Sequence, residues 1–176
     1  MVRGLRSWRE GDAVAVLAAF SAPEMSRQSD VPVDSGEGAL RWIALREEEE
    51  RAGTAYAFAV VDEDDVALGN VAVGAVNHVH GTGWVSYWTA PSARGRGVAT
   101  YGCDALARWA FRELGLFRLE LGHRINNPAS CRVARTAGFV AEGVQRQKLA
   151  YEGVRHDVEL HARLASDWHT RVSRSY

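Results

Sequence analysis

The 176-residue sequence predicts a mixed α/β fold of the α+β kind, with a central, mostly antiparallel sheet of six to seven strands flanked by about four helices. Three observations carry this expectation. Apolar stretches separated by very short turns fill residues 54–90, as in a strand meander. From Gly97 to Leu114, Ala99, Cys103, Leu106, Ala110 and Leu114 recur at three and four residues, the period of a helix with one buried stripe. Residues 139–164 then read as two further strands joined near "EG" at 152–153.

Taken in order, "VRGLRSW" (2–8) alternates as an edge strand, and "REGD" leads into "AVAVLAAF" with Asp12 as the expected helix N-cap. Residues 21–37 carry Pro23, Pro32 and Gly36 among several Ser and Asp, a loop with room for a helical turn. "GALRWIALREEEERAG" (38–53) sets Leu40, Ile43, Ala44 and Leu45 near one face and stops at Gly53, which makes a second helix. Its run Glu47–Glu50 reads as a solvated face. The strands 54–62, 66–79 and 84–90 are joined by "EDD" and "HGTG", too short for crossovers, so their pairing is antiparallel. After Pro91 come the helix 97–114, the strand "GLFRLELG" (115–122) and a short helix 127–137. Gly138 ends that helix in the left-handed cap position. Residues 1–165 read as one domain and 166–176 as a C-terminal tail.

Composition excludes several functions. With 47% hydrophobic and 24% charged residues the chain is of ordinary globular make-up. Lys+Arg 21 against Asp+Glu 22 gives a net charge of -1, without the global positive field of a nucleic-acid binder. Lys148 is the only lysine; genome bias explains this, although arginine forks also suit anions. No apolar run approaches the roughly 18–20 residues of a membrane span, and "MVRGLRSWREGD" lacks a signal-peptide core. A cytoplasmic protein without nucleic-acid or membrane partners is expected. Cys103 and Cys131, on separate predicted helices, are expected to be free thiols filling small apolar space. No metal site is expected, since His78, His80, His156 and His161 lack a recognised ligand spacing with cysteine or carboxylate.

The stretch "RGRGVA" (94–99) lies where a strand has ended and a helix begins. The first N–H groups of a helix have no intrahelical partner, and the helix dipole adds partial positive charge there. Glycines let an anion approach the backbone, and Arg94 and Arg96 are expected to add charge at the rim. A diphosphate suits such a cradle. No GK[ST] closes it and no G-x-G-x-x-G spans it; the pattern that remains is [RQ]-x-x-G-x-[GA], met by Arg94, Gly97 and Ala99.

With "YWTAPSARGRGVAT", "WAFRELGLFRLEL" and "NNPASCRVARTAGFVAEG" at their relative spacing, nearly the whole chain resembles the GNAT family of acyl-CoA-dependent N-acyltransferases, in particular its ribosomal-protein branch (RimJ/RimL type). The resemblance implies that the backbone of Arg94, Gly95, Arg96, Gly97, Val98 and Ala99 binds the pyrophosphate of coenzyme A. It implies that strand 84–90 splays from 116–122, so that the pantetheine arm pairs with the backbone around Tyr87, Trp88 and Thr89. Asn127 matches the family asparagine that contacts the arm, and Ser130 stands where this branch places a hydroxyl near the leaving thiolate. The tyrosine that many members use on this helix is absent, with Ala134 about one turn further along.

Acylating an amine needs a base, support for the oxyanion and a proton for the leaving thiolate. Glu120 is the expected base: Phe117, Leu119 and Leu121 share one strand face, leaving Glu120 and Arg118 on the other. A plain Arg118-paired carboxylate is the competing reading. Glu142, Asp157 and His123 are reserves, Asp157 having an equal claim to a structural hydrogen bond. Ser130 is the expected thiolate partner, with a helix-capping role as its alternative. Trp42, Trp84, Trp88 and Tyr87 fall at the predicted cleft walls. The expected activity is transfer of an acetyl group from acetyl-CoA to a primary amine in a ternary complex, the amine being a protein N-terminus or a small molecule. A larger donor such as succinyl-CoA and a non-catalytic coenzyme A sensor stay open, as does monomer against homodimer.

Overall fold

The computed structural model describes residues 1–29 and 31–167; most of the expected tail, 168–176, lies outside the described residues. Its strands are β1 (Val2–Ser7), β2 (Tyr56–Asp62), β3 (Ala67–Asn77), β4 (Thr82–Thr89), β5 (Arg118–Arg124), β6 (Val140–Tyr151) and β7 (Val154–Leu164). The helices are α1 (Ala13–Phe20), α2 (Gly36–Ala52), α3 (Val98–Glu113) and α4 (Pro128–Thr136). All seven strands share one sheet in the order β1-β2-β3-β4-β5-β7-β6. The meander β1 to β4 is antiparallel, β4 and β5 are parallel, and β5, β7 and β6 are antiparallel again.

The alternation of each strand sends its side chains into two different cores. On one face α1 and α2 cover Trp8, Phe20, Trp42 and Trp88, whose rings interlock edge to face. Trp8 meets Trp42 at 5.1 Å and 88°, and Phe20 meets Trp88 at 5.5 Å and 80°. Such pairs add about 0.5–1.5 kcal/mol each beyond area burial. Trp8 Nε1 donates to Asn70 Oδ1 at 2.9 Å, which satisfies two buried polar groups. On the other face α3 lays Cys103, Leu106, Ala107 and Ala110 on Val60, Val71, Val73, Leu119 and Leu121. Small residues on α3 allow the close approach, since a Cβ on Gly102 would stand 2.9 Å from Val60 Cγ2.

Several boundaries differ from the sequence expectation for definite reasons. The strand expected at 115–122 runs Arg118–Arg124 instead. Gly115 turns the chain with φ 63°, Leu116 is buried, and the N–H groups of Phe117 and Arg118 both donate to the Gly81 carbonyl. Phe117, expected beside Leu119 and Leu121, is 54% exposed as a result. α2 begins at Gly36 because Ser35 Oγ accepts the Gly38 N–H at 3.1 Å. Asp12 precedes α1, yet its carboxylate does not cap it. It accepts Arg6 Nη1 and Nη2 at 2.6 and 2.8 Å instead, and Arg6 also reaches Asp65. Together these carboxylates hold the Arg6 guanidinium firmly in its charged form.

A Cβ added at Gly69 would lie 2.5 Å from the Trp88 carbonyl oxygen, a backbone atom that cannot step aside. Gly69→Ala should therefore cost about 2–3 kcal/mol in urea unfolding. Gly102→Ala meets only side-chain atoms, of Val60 and Val71, and should cost clearly less. Equal losses would contradict this packing.

Candidate active site

β4 and β5 share only three register positions: Thr82, Gly83 and Trp84 against Arg118, Leu119 and Glu120. Beyond them β4 stays on β3 as far as Thr89↔Gly69, while β5 stays on β7 as far as Arg124↔Val158. The backbone of Val85 to Thr89 thus has no strand partner on its β5 side. A gap opens there between the two halves of the sheet. The Tyr87 phenol reaches across it to donate to the Ser130 carbonyl at 3.4 Å. Burial pushes this phenol up to about 12.

β4 leads directly to the glycine turn. Ala90–Ala93 make one tight turn, Arg94 is extended, and Gly95 and Gly97 have φ 74° and 79°. That left-handed backbone is what the glycines are needed for, because a Cβ at either would meet no protein atom within 4 Å. The cradle is open on the side where an anion would approach. Among the described residues, no group accepts from the N–H groups of Gly95, Arg96, Gly97, Val98, Ala99 or Thr100; the first amide to turn back is Tyr101, to Gly97 O at 2.9 Å. Val98 is buried and anchors this end of α3 in the core. Arg94, expected to add charge at the rim, is exposed and its Nη1 pairs with Glu24 at 2.8 Å. Arg96 is exposed and forms no ion pair with a described residue.

At the other side of the gap, Asn127 Oδ1 accepts the Ser130 N–H at 3.1 Å and caps α4. The capping role belongs to Asn127, and the Ser130 hydroxyl makes no hydrogen bond to a described residue. Trp88 offers the gap only its backbone, its indole being part of the aromatic core. Trp42 is buried there too, whereas Trp84 is half-buried beside Gly122, where a Cβ would lie 3.1 Å from its ring. Glu120 stands at the last rung before the gap, on the face opposite Leu119 and Leu121. Arg118 Nε binds Glu120 Oε1 at 2.7 Å and also pairs with Glu142, which holds the guanidinium charged and Glu142 below the usual carboxylate range. Glu120 and Ser130 therefore border the gap from opposite faces.

Among the reserves, Asp157 Oδ1 accepts the Gln147 N–H at 2.7 Å, a structural bond across the β6–β7 hairpin. His123 turns into the interior and meets His161, Glu159 and Cys131, a grouping that sequence spacing did not show. Cys131 accordingly sits among polar groups rather than filling apolar space; Cys103 does fill it, fully buried. A separate apolar cavity between α1 and residues 31–34, lined by Leu17, Phe20, Val31 and Val33, takes no residue from β4, β5 or the glycine turn. No helix among the described residues is long and apolar enough to cross a membrane.

The family model for the acetyltransferase (GNAT) domain matches residues 3–140. The chain belongs to the GNAT acetyltransferase family. Members use acetyl-CoA, and the open amides beside a parted strand pair fit that group. The chain is 29% identical to the ribosomal-protein-serine acetyltransferase of Escherichia coli (strain K12) over 64% of its own length, and 30% identical to YdaF of Bacillus subtilis (strain 168) over 60%. It spans only 62% and 57% of the lengths of those two relatives. Among solved GNAT structures, Mycobacterium smegmatis RimJ in complex with a CoA-disulfide superposes with a TM-score of 0.83 at 25% identity, covering 97% of this chain and 88% of that one. A spermidine N-acetyltransferase SpeG chimera from Vibrio cholerae and hSSAT gives 0.80 at 21% identity, covering 96% and 100%.

Burial, with some help from Asp104, pushes the Cys103 thiol up to about 12. Iodoacetamide should leave Cys103 unlabelled in the native protein at pH 8 and label it after unfolding, as peptide mass mapping would read. Native labelling at Cys103 would contradict its burial.

Proposed function

We propose that the protein is an N-acetyltransferase that passes an acetyl group from acetyl-CoA to a primary amine by direct transfer, with both substrates bound together. The observation that carries this reading is the run of N–H groups from Gly95 to Thr100, without protein acceptors among the described residues, beside the β4–β5 gap. These amides and the α3 dipole suit the diphosphate of coenzyme A, and Arg96 adds charge at the rim. The free edge of Tyr87, Trp88 and Thr89 offers main-chain groups to the pantetheine arm. The carboxamide nitrogen of Asn127 faces no described acceptor and offers one more donor.

Bound there, acetyl-CoA supplies an acyl group already activated as a thioester. The chain's task is then to position the amine and to handle two protons. Glu120, exposed beside Trp84 at the mouth of the gap, accepts the amine proton directly or through water. Its pairing with Arg118 keeps the carboxylate oriented. Ser130, with its hydroxyl uncommitted, hydrogen-bonds the departing sulfur; its weak acidity makes this a relay or hydrogen-bonding role. Positioning alone supplies several kcal/mol of such a reaction's lowered barrier. A protein amine is the favoured acceptor, on the ribosomal-protein name of the E. coli relative.

Isothermal calorimetry with coenzyme A tests the cradle. Gly97→Glu should abolish binding, whereas Gly97→Ala carries the same backbone strain, roughly 1–3 kcal/mol, without charge or bulk. Unchanged affinity in the Glu variant would remove the cradle. For the chemistry, Ser130→Ala should lower kcat about 100-fold with little change in KM for acetyl-CoA. Glu120→Gln should lose most activity at lower pH and recover as the amine sheds its own proton. An untouched pH profile would exclude Glu120 as the base. Comparing acetyl- with succinyl-CoA in the same assay fixes the donor, and absence of thiol release with every amine would favour a sensor.

A further inference from the structure

We propose that His123, Cys131, Glu159 and His161 form a tetrahedral zinc site that fastens the start of α4 to β5 and β7. The four residues come from three elements: His123 from β5, Cys131 from α4, and Glu159 and His161 from β7. Antiparallel register sets His123 directly opposite Glu159 and His161 opposite Leu121, so the three β residues project from one face of the sheet toward α4. One ligand atom from each of the four residues lies within 4.8 Å of all the others.

Four of the six ligand spacings are close to those of a coordination tetrahedron, and the other two, from Cys131 Sγ to the histidine nitrogens, lie within 4.8 Å. Zinc bonds of about 2.0–2.1 Å to nitrogen and oxygen put such ligands roughly 3.3 Å apart, and a sulfur at about 2.3 Å lies roughly 3.6 Å from the others. His123 Nε2 is 3.0 Å from His161 Nε2 and 3.4 Å from Glu159 Oε2. His161 Nε2 is 2.9 Å from the same Glu159 oxygen, and Cys131 Sγ is 3.5 Å from it. Four protein ligands leave no open position, the mark of a structural rather than a catalytic site. Two imidazoles, a thiolate and a carboxylate in this geometry select zinc among common divalent ions.

Proton counting points the same way. His123 Nδ1 faces the Arg124 carbonyl at 3.0 Å, an acceptor only, so that nitrogen carries the ring proton and Nε2 presents a lone pair. A metal-ligating histidine commonly has such an outer partner. A single N–H on His161 Nε2 can then serve either His123 Nε2 or Glu159 Oε2 but not both, with only the weak Cys131 S–H donor, 3.5 Å from Glu159 Oε2, to help. The His123 and His161 side chains are 4% and 0% exposed, so water does not relieve them. One cation at the centre satisfies all three acceptors and the thiolate. Arg135, 3.9 Å from the other Glu159 oxygen, is the remaining charge at the rim.

The test uses the full chain, stripped with a chelator and titrated with zinc alone in competition with a chromophoric chelator. One equivalent should bind and raise the melting temperature. Cobalt in its place should give the intense visible bands of a tetrahedral ion and a thiolate charge-transfer band. Cys131→Ser and Glu159→Gln, both close in shape, should lower zinc affinity by more than about 100-fold, beyond the loss of an outer-shell partner, and abolish the charge-transfer band in the Ser variant. His161→Ala should do the same, and far-ultraviolet circular dichroism checks that each variant is folded. No stoichiometric binding would overturn the proposal. Binding unchanged in folded Cys131→Ser and Glu159→Gln would overturn it equally, by moving the metal elsewhere.

Discussion

Three rungs of parallel pairing between β4 and β5 are the constraint on which the rest of this molecule depends. Each strand is firmly held on its other side, β4 by β3 and β5 by β7, so the sheet stays whole while its middle parts. Trp88 locks the end of β4 into the aromatic core under α1 and α2, and Tyr87 beside it points the opposite way, toward α4. Main-chain groups left unpaired in a sheet are costly unless something else pairs with them. The parting of the strands is therefore a feature that fits an extended ligand, and it opens beside a helix start whose amides are also unspent.

The glycine turn adds direction to that opening. Gly95 and Gly97 adopt a backbone that other residues enter only with strain, and Val98 pins the helix that follows. Neither glycine is there to avoid a protein neighbour. The conformation itself is what the residues supply: it turns successive N–H groups outward at the positive end of α3. Family membership gives this geometry its chemical sense.

Much of the fold was legible because its signals are local. Short turns made the meander antiparallel, the three- and four-residue spacing marked α3, Gly53 ended its helix as expected, and Gly138 did so in the left-handed conformation expected of it. Much of what was not legible comes from how the chain folds back on itself. The Arg94–Glu24 pair spans seventy residues, and Asp12 read as a cap because the local pattern does not show that Arg6, six residues earlier in β1, turns onto it. The apolar run at 115–117 hid a connector in which only Leu116 is buried. At the site, the glycine turn, Asn127 and Ser130 could be named from pattern and resemblance. The Arg118–Glu120 pair, the competing reading of Glu120, was legible within one strand; its extension to Glu142 and the meeting of His123 with Glu159 and His161 are set by the register of β5, β6 and β7, which no spacing within one segment reveals.

The most direct measurement of the central claim is an amide-resolved nuclear magnetic resonance titration of the ¹⁵N-labelled protein with coenzyme A. The account predicts that the largest shifts fall on Gly95 to Thr100, whose N–H groups face no protein acceptor among the described residues, and on Val85 to Thr89, which pair with β3 on one edge and with no strand on the other. Saturable binding that leaves both stretches unmoved would contradict it.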